Sequence, residues 1–314
     1  MSRLSSISSN PTLRQFAQGA AQSAIMPVAD FLAPTIEVAT SVGRYKVYSE
    51  KHRFHIPDTL RTLGGRASEL RFDVSDATYN CEPHALDFPV DNLEQLEESG
   101  LENMLREGAT SVAEVAALAH EKTVIDAALA AVGAGTGKTW NAAADPVADI
   151  DDTILSVIKA AKYGSLMGVG VLFGATAWKI FKNQAAVRGR FVVGNGSAKS
   201  GLGLAVPTEA SAGQMFLGTP EVRTSYMIYD AAAEGIAESV HFLLDNAVLV
   251  FARKSQPTRR DPSFMKTFRL MGQYMVPGSY TRDDGRVEVA KFDWSEDVKV
   301  TNSAACVRLN ISAS

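Results

Sequence analysis

The chain has 314 residues, 46 % hydrophobic and 21 % charged, which excludes disorder over its whole length and allows one large domain or two to three modest ones. Its 31 Lys and Arg against 35 Asp and Glu give a formal net charge of -4, without the overall basic character of a protein that grips nucleic acid. A mildly acidic wall that only encloses nucleic acid is compatible with that charge. Two cysteines, Cys81 and Cys306, allow one bridge at most and are too few for a disulfide framework, so reduced thiols are expected. The Ser-rich N-terminus lacks the apolar core and cleavage site of a secretory signal. The most apolar run, 163–178, is interrupted by Gly164, Gly168, Gly170 and Gly174 and falls short of the roughly 20 residues that cross a bilayer, so no membrane partner is expected.

The first fifty residues read as extended, broken by Pro11, Pro27 and Pro34, with a short helix over 12–24 that Asn10 would cap. Partial alternation at 45–49 and 54–57 resumes at 70–74 after Gly64 and Gly65, which predicts a long two-stranded arm with a Gly-Gly tip. Such a ribbon has no core of its own and must lie on something else. Asp91 and Glu94 form a capping-box-like start to a long helix. Leu101, Leu105, Val112, Val115, Leu118, Ile125, Leu129 and Val132 line one face of it, with a kink allowed near Gly108 and Ser111. A continuous helix over 92–132 would be about 60 Å long, more than one compact domain buries, and would act as a beam. The small, polar stretch 133–149 reads as a loop. A mixed α/β pattern follows: a helix around Ile150, Ile154, Val157 and Ile158, a buried strand over 169–173, a helix over 175–181, a strand over 191–193, a Gly-rich loop over 194–203 and a helix over 209–217. Strands are expected at 222–229, 247–251, 264–275, 286–294 and 307–311, with a turn at Asp283, Asp284 and Gly285.

The sharpest motif is the run Gly133, Gly135, Gly137, Lys138, Thr139, which resembles a phosphate-binding P-loop. A true one has glycine at the position of Val132, a buried strand before it and a helix after it, so that backbone N–H groups converge on phosphate. Here a helix precedes it, and the run reads as a flexible glycine loop. A P-loop nucleotide hydrolase is kept as an alternative of another class. His52 and His55 fall in the arm, and His120 with Glu121 lacks the second histidine of a metalloprotease motif. Cys81 and His84 are two potential ligands where a structural zinc site needs four. No Gly-x-Ser-x-Gly elbow or dinucleotide fingerprint is present. The chain is expected not to be an enzyme, with no catalytic, cofactor or metal site.

The arm is rich in Arg53, Arg61, Arg66 and Arg71, and the helix start in Glu94, Glu97, Glu98 and Glu102. Two readings of the charge stay open: a solvated ribbon, or ion pairs between the arm of one copy and the helix start of the next. The second favours head-to-tail association, which makes rings where the rotation closes.

The order of these parts resembles the major capsid proteins of tailed bacteriophages, the HK-ninety-seven-like fold family. Residues 79–91, with Cys81, Glu82, Pro83 and His84, resemble the exit from that family's long hairpin, the E-loop. Leu105 to Gly108 with the run 112–118 resembles its spine helix. Residues 151–178 and 245–252, followed by Pro262, Phe264, Thr267 and Phe268, resemble its axial domain and the return from it. The resemblance implies an α+β fold: an N-terminal arm at 1–43, an E-loop hairpin at 44–90, the spine helix and start of a peripheral domain at 91–145, an axial domain at 146–262, peripheral strands at 263–297 and a C-terminal strand returning to the axial domain at 298–314. It implies self-assembly into hexamers and pentamers of an icosahedral head around double-stranded DNA, located in the virion after assembly in the host cytoplasm. Expected partners are a separate scaffolding protein, since with Met1 present no N-terminal cleavage is expected, together with a portal and a decoration protein. An encapsulin-like compartment of the same fold is the nearest alternative. The lysine, asparagine and glutamate of the family's covalent cross-link match no positions here.

Overall fold

The computed structural model describes residues 28–48, 59–60, 65, 74–91, 101–161, 168–191, 207–233, 235–254, 256–259, 261 and 263–313, without the side chains of 46–48, 74–75, 101–106, 191 and 277. A short helical turn, α1 (Ala29–Leu32), leads into β1 (Thr35–Val38) and β2 (Val42–Tyr48). β3 (Val74–Asn80) and β4 (Glu82–Asp91) precede the long helix α2 (Leu101–Val132), then β5 (Thr136–Thr139) and α3 (Pro146–Ala161). Next come β6 (Gly168–Gly174), α4 (Ala175–Asn183), α5 (Ala185–Phe191), α6 (Glu209–Met215) and β7 (Glu221–Ser225). The chain continues with β8 (Ile228–Asp230), β9 (Val240–Phe242), β10 (Ala247–Arg253), β11 (Met265–Leu270), β12 (Val276–Thr281), β13 (Val287–Val300) and β14 (Cys306–Ser312).

Two five-stranded sheets carry the fold. The first is built on β13, whose length lets three strands pair with it: β4 along Val287–Glu296, β12 along Glu288–Asp293 and β11 along Glu296–Val300; β1 adds in parallel to β11. The second has the order β5-β14-β10-β6-β7. β6 and β10 are its centre, and Val171, Leu172, Phe173 and Val248 to Phe251 are fully buried, the continuous apolar run of a strand covered on both faces.

The helix α2 joins the two bodies. Ala109, Val112, Ala113 and Ala116 pack with Val90, Met275, Ala290, Phe292 and Trp294 of the first sheet. About two turns further on, Val124, Ile125 and Ala128 enter the larger core built around the second sheet, α3, α4 and α1. At 32 residues the helix is about 48 Å long, so opposite halves reach separate cores and the expected beam is present. It runs unbroken through Gly108 and Ser111, because Gly108 is where the Phe88 ring of β4 meets the helix: a Cβ there would stand 2.2 Å from a ring carbon. At the base of the expected arm, β2 and β3 pair antiparallel from Val42↔Asn80 to Tyr48↔Val74, and Tyr45, Tyr79, Cys81, Val38 and Phe268 form a third small core beneath them. The rest of the arm, with its Gly-Gly tip, and the helix expected at 12–24 lie outside the described residues, apart from Thr59, Leu60 and Gly65.

Several sequence expectations are corrected. The stretch 133–149 is not a loop. Strand β5 pairs in parallel with β14, an edge pairing that no local periodicity announces, and α3 begins at Pro146, whose missing N–H suits a first helical turn. The strand expected at 222–229 is two, β7 and β8, in different sheets. Phe191 ends the helix α5 rather than opening a strand. The strand expected over 264–275 stops at Leu270 in a turn through Gly272 (φ 71°), after which β12 returns as a separate strand. That expected over 286–294 runs on to Val300 as β13.

Candidate functional site: the joint between arm, spine and sheets

The glycine-rich motif does not form a phosphate cradle. Gly133 ends α2 in the left-handed region (φ 70°) and its N–H bonds the carbonyl of Leu129, the ordinary way a helix stops. Lys138 lies in β5 and its Nζ meets Asp149 Oδ1 at 2.6 Å, while the indole N–H of Trp140 donates to Asp149 Oδ2 at 3.0 Å. A strand follows these glycines where a P-loop has a helix, and the lysine is held by a carboxylate. The reading as a loop and the reading as a nucleotide site both give way to a sheet edge.

The chemistry-bearing residues converge instead where α1, the long helix α2 and both sheets meet. Phe31 of α1 is fully buried, packed edge-on to Phe251 at 5.2 Å, under the guanidiniums of Arg223 (5.0 Å) and Arg253 (4.6 Å). Glu221 pairs with both arginines, and Gly170 leaves room for the ring, since a Cβ there would stand 2.9 Å from it. The backbone N–H of Val28 donates to Glu121 Oε1 of α2 at 3.1 Å, and Thr267 Oγ1 donates to the carbonyl of Ala33 at 3.1 Å. The segment 28–38 thus lashes one core to the other: α1 sits in the larger core, and β1 lies in the first sheet.

One turn of α2 supplies a buried polar cluster. His120 Nδ1 lies 2.9 Å from Glu296 Oε1, and Glu296 Oε2 accepts from Arg269 Nη2 at 2.9 Å and Nε at 3.3 Å. Arg269 in turn lies over the Tyr274 ring at 3.8 Å. Burial alone would raise the Glu296 carboxyl, but the hydrogen bond and charge of His120 and the Arg269 guanidinium outweigh it and hold its pKa at about 2. Glu121 is the opposite case: burial pushes its carboxyl up, only partly offset by the N–H groups of Val28 and Ala29. A second buried pair, Lys266 with Asp261 at 3.4 Å, ties β11 to the turn before it, where Lys266 also donates to the carbonyls of Thr258 and Asp261.

Most of these charges face a structural partner, while His120 Nε2 and Glu121 Oε2 are buried without a hydrogen-bond partner among the described residues. Among the described residues no group of three or more His, Cys, Asp or Glu is placed to hold a metal. Cys81 and Cys306 are buried free thiols in separate cores, Cys81 donating to the carbonyl of Phe268 at 3.5 Å, and His84 stacks on Trp294. Burial pushes both thiols up, away from the reactive thiolate. Of the expected contact residues, Arg53, Arg61, Arg66, Arg71, Glu94, Glu97 and Glu98 lie outside the described residues, and only the backbone of Glu102, in the first turn of α2, is described. In the sequence His120 with Glu121 reads only as an incomplete metalloprotease motif, which misses their buried structural role, although Glu121 interrupts the buried stripe of Ala117, Val124 and Ala128, and a carboxylate at a core position of a helix is a legible sign of a buried partner.

No protein-family model matches the chain, and no curated protein matches it. Solved structures do. A phage-related protein from Bordetella bronchiseptica superposes with a TM-score of 0.68 at 16 % identity, covering 96 % of both chains. The chain has the fold of phage capsid proteins. The HK-ninety-seven-like fold is likewise met in the mature capsid of bacteriophage PhiM1, with a TM-score of 0.52 at 12 % identity over 88 % of this chain and 85 % of that one. An encapsulin complex from Synechococcus elongatus matches with a TM-score of 0.52 at 11 % identity over 92 % and 88 %. The α+β class expected from the sequence is the one observed.

Proposed function

We propose that this chain is a major capsid protein that assembles into hexamers and pentamers of an icosahedral head enclosing double-stranded DNA, and that it is not an enzyme. The observation that carries the reading is a fold shared along nearly the whole chain with a phage-related protein, and along most of it with a capsid subunit. The architecture supports it physically. Two cores on one rigid helix make a plate, and the hairpin base and the arm's end are pinned at the joint between them, a platform from which extended segments can reach neighbours. Many modest contacts per copy then hold a shell through multivalency.

Within that reading, the sheet on β13 is the peripheral domain and the sheet on β10 the axial domain. Arg53, Arg61, Arg66 and Arg71 of the hairpin pair with Glu94, Glu97, Glu98 and Glu102 of a neighbouring spine. A separate scaffolding protein, a portal and a decoration protein complete the head, and the mature location is the virion. Expression with and without the neighbouring genes, followed by size exclusion and electron microscopy, tests this: closed shells are expected, and a chain that stays monomeric in every condition refutes it. The encapsulin match supports a second reading, a compartment around protein cargo. Nuclease-protected DNA in purified particles separates the two.

A further inference from the structure

Glu121 lies within the spine helix, fully buried, at the place where α1 meets it. Its Oε1 accepts from the N–H of Val28, and the N–H of Ala29 is turned toward the same carboxyl. Val28 is the N-cap residue of α1 and makes no side-chain cap of its own, so Glu121 caps this turn from another element. The arrangement is incomplete. Oε2 is shielded from water and has no hydrogen-bond partner among the described residues. A carboxylate accepts at both oxygens, and burying one of them without a donor costs far more when the group is charged than when it carries a proton.

The surrounding charges leave that deficit in place. Asp30 of α1 is a like charge within reach, and His120, the neighbour on α2, commits Nδ1 to Glu296. Lys122 is engaged by Asp126 and the Tyr229 ring. On the first sheet Arg269 pairs with Glu296 and lies over Tyr274, and on the second Arg223 and Arg253 pair with Glu221.

We propose that α1 is a proton-controlled latch, which holds the spine most tightly with Glu121 protonated and loosens as Glu121 ionises. Undocking α1 gives the carboxylate access to water, so ionisation and undocking favour each other, and the docked state binds the proton more tightly. The extra hold is therefore present below the ordinary carboxyl value near pH 4.5 and is lost as pH rises through the raised value of the docked group. Phe31 and Leu32 stay as apolar anchors, so the response is graded: α1 opens more often while the fold persists. Residues 1–27 join the body at Val28, and the firmness of that junction follows pH. The latch belongs to the single chain and does not depend on assembly into a shell.

Hydrogen exchange read by mass spectrometry on the full chain, at low salt between pH 5 and 8 and corrected for the intrinsic pH dependence of amide exchange, tests this. The reporters are the amides of Leu32 and Ala33, which bond the carbonyls of Val28 and Ala29. Their protection should fall about 5-fold or more across that range, the weight of a buried acceptor left unsatisfied, while β6 and β10 keep theirs. Glu121→Gln should make α1 protection independent of pH and higher than wild type at pH 8. Asp30→Asn, at an exposed site, removes the like charge and should shrink the fall, which keeps the test open if Glu121→Gln does not fold. Wild-type protection that does not change with pH, a fall that persists in Glu121→Gln, or one undiminished in Asp30→Asn overturns the latch.

Discussion

Replacing Gly108 by alanine sets two effects of opposite sign against each other at the joint between spine and first sheet. In a helix interior alanine is favoured over glycine by about 1 kcal/mol. Against this, the new Cβ would lie 2.2, 2.3 and 2.7 Å from Cδ1, Cε1 and Cγ of Phe88. Carbon atoms in contact sit about 3.5–4.0 Å apart, so the ring must retreat by more than about 1 Å. Phe88 belongs to β4, which is paired with β13 along its whole length, and cannot retreat without disturbing that register. Overpacking of this kind costs about 1–3 kcal/mol, so the net change is a loss of about 1 kcal/mol. In the unassembled chain the thermal midpoint should fall by about 1–2 °C. Phe88→Ala removes the obstacle, so the double variant should be more stable than the sum of the single effects predicts, by about 1–3 kcal/mol. Urea and thermal melts followed by circular dichroism measure both quantities. A Gly108→Ala midpoint above wild type, or strict additivity in the double variant, refutes the reasoning.

The buried cluster makes pH predictions of opposite sign. Glu296 is held below its ordinary range, so its stabilisation is present above about pH 4.5 and is lost as pH falls toward about 2. The shift corresponds to about 3 kcal/mol. Glu296→Gln should therefore lower stability at pH 7 by about 2–4 kcal/mol and flatten the acid limb of the stability curve, read by denaturant titrations between pH 2 and 7. The Glu121 carboxyl is raised, so the folded state holds its proton longer than the unfolded one, and its contribution falls as pH rises through the folded value. Glu121→Gln keeps an acceptor for the Val28 N–H and removes that titration; relative to wild type its thermal midpoint should improve between pH 4 and 8. At the proposed hairpin contact, Arg66→Glu with Arg71→Glu should abolish particles in electron micrographs while leaving the monomer's melting unchanged, and normal shells from that pair refute the contact.

The sequence by itself determined the parts whose signal is local. The spine is legible because Val112, Ile125 and their neighbours repeat at helical spacing, and β6 and β10 because short unbroken apolar runs have few alternatives as buried strands. The order of a long helix followed by an α/β body is equally local. Tertiary structure decided what depends on partners distant in the chain. β5 exists because β14, more than 170 residues later, offers it an edge, and the glycines before it are a helix stop rather than a phosphate cradle for the same reason. Glu121 and His120 differ in role although adjacent, because one faces the arm at Val28 and the other faces β13 at Glu296. The bare face of the β8–β9 ribbon is likewise a tertiary fact. The sequence reads 222–229 as one strand and makes no assignment for Val240 and Phe242, and only the contact of Tyr229 with Lys122 shows which face of the ribbon, with Ile228, Val240 and Phe242, is turned away from α2.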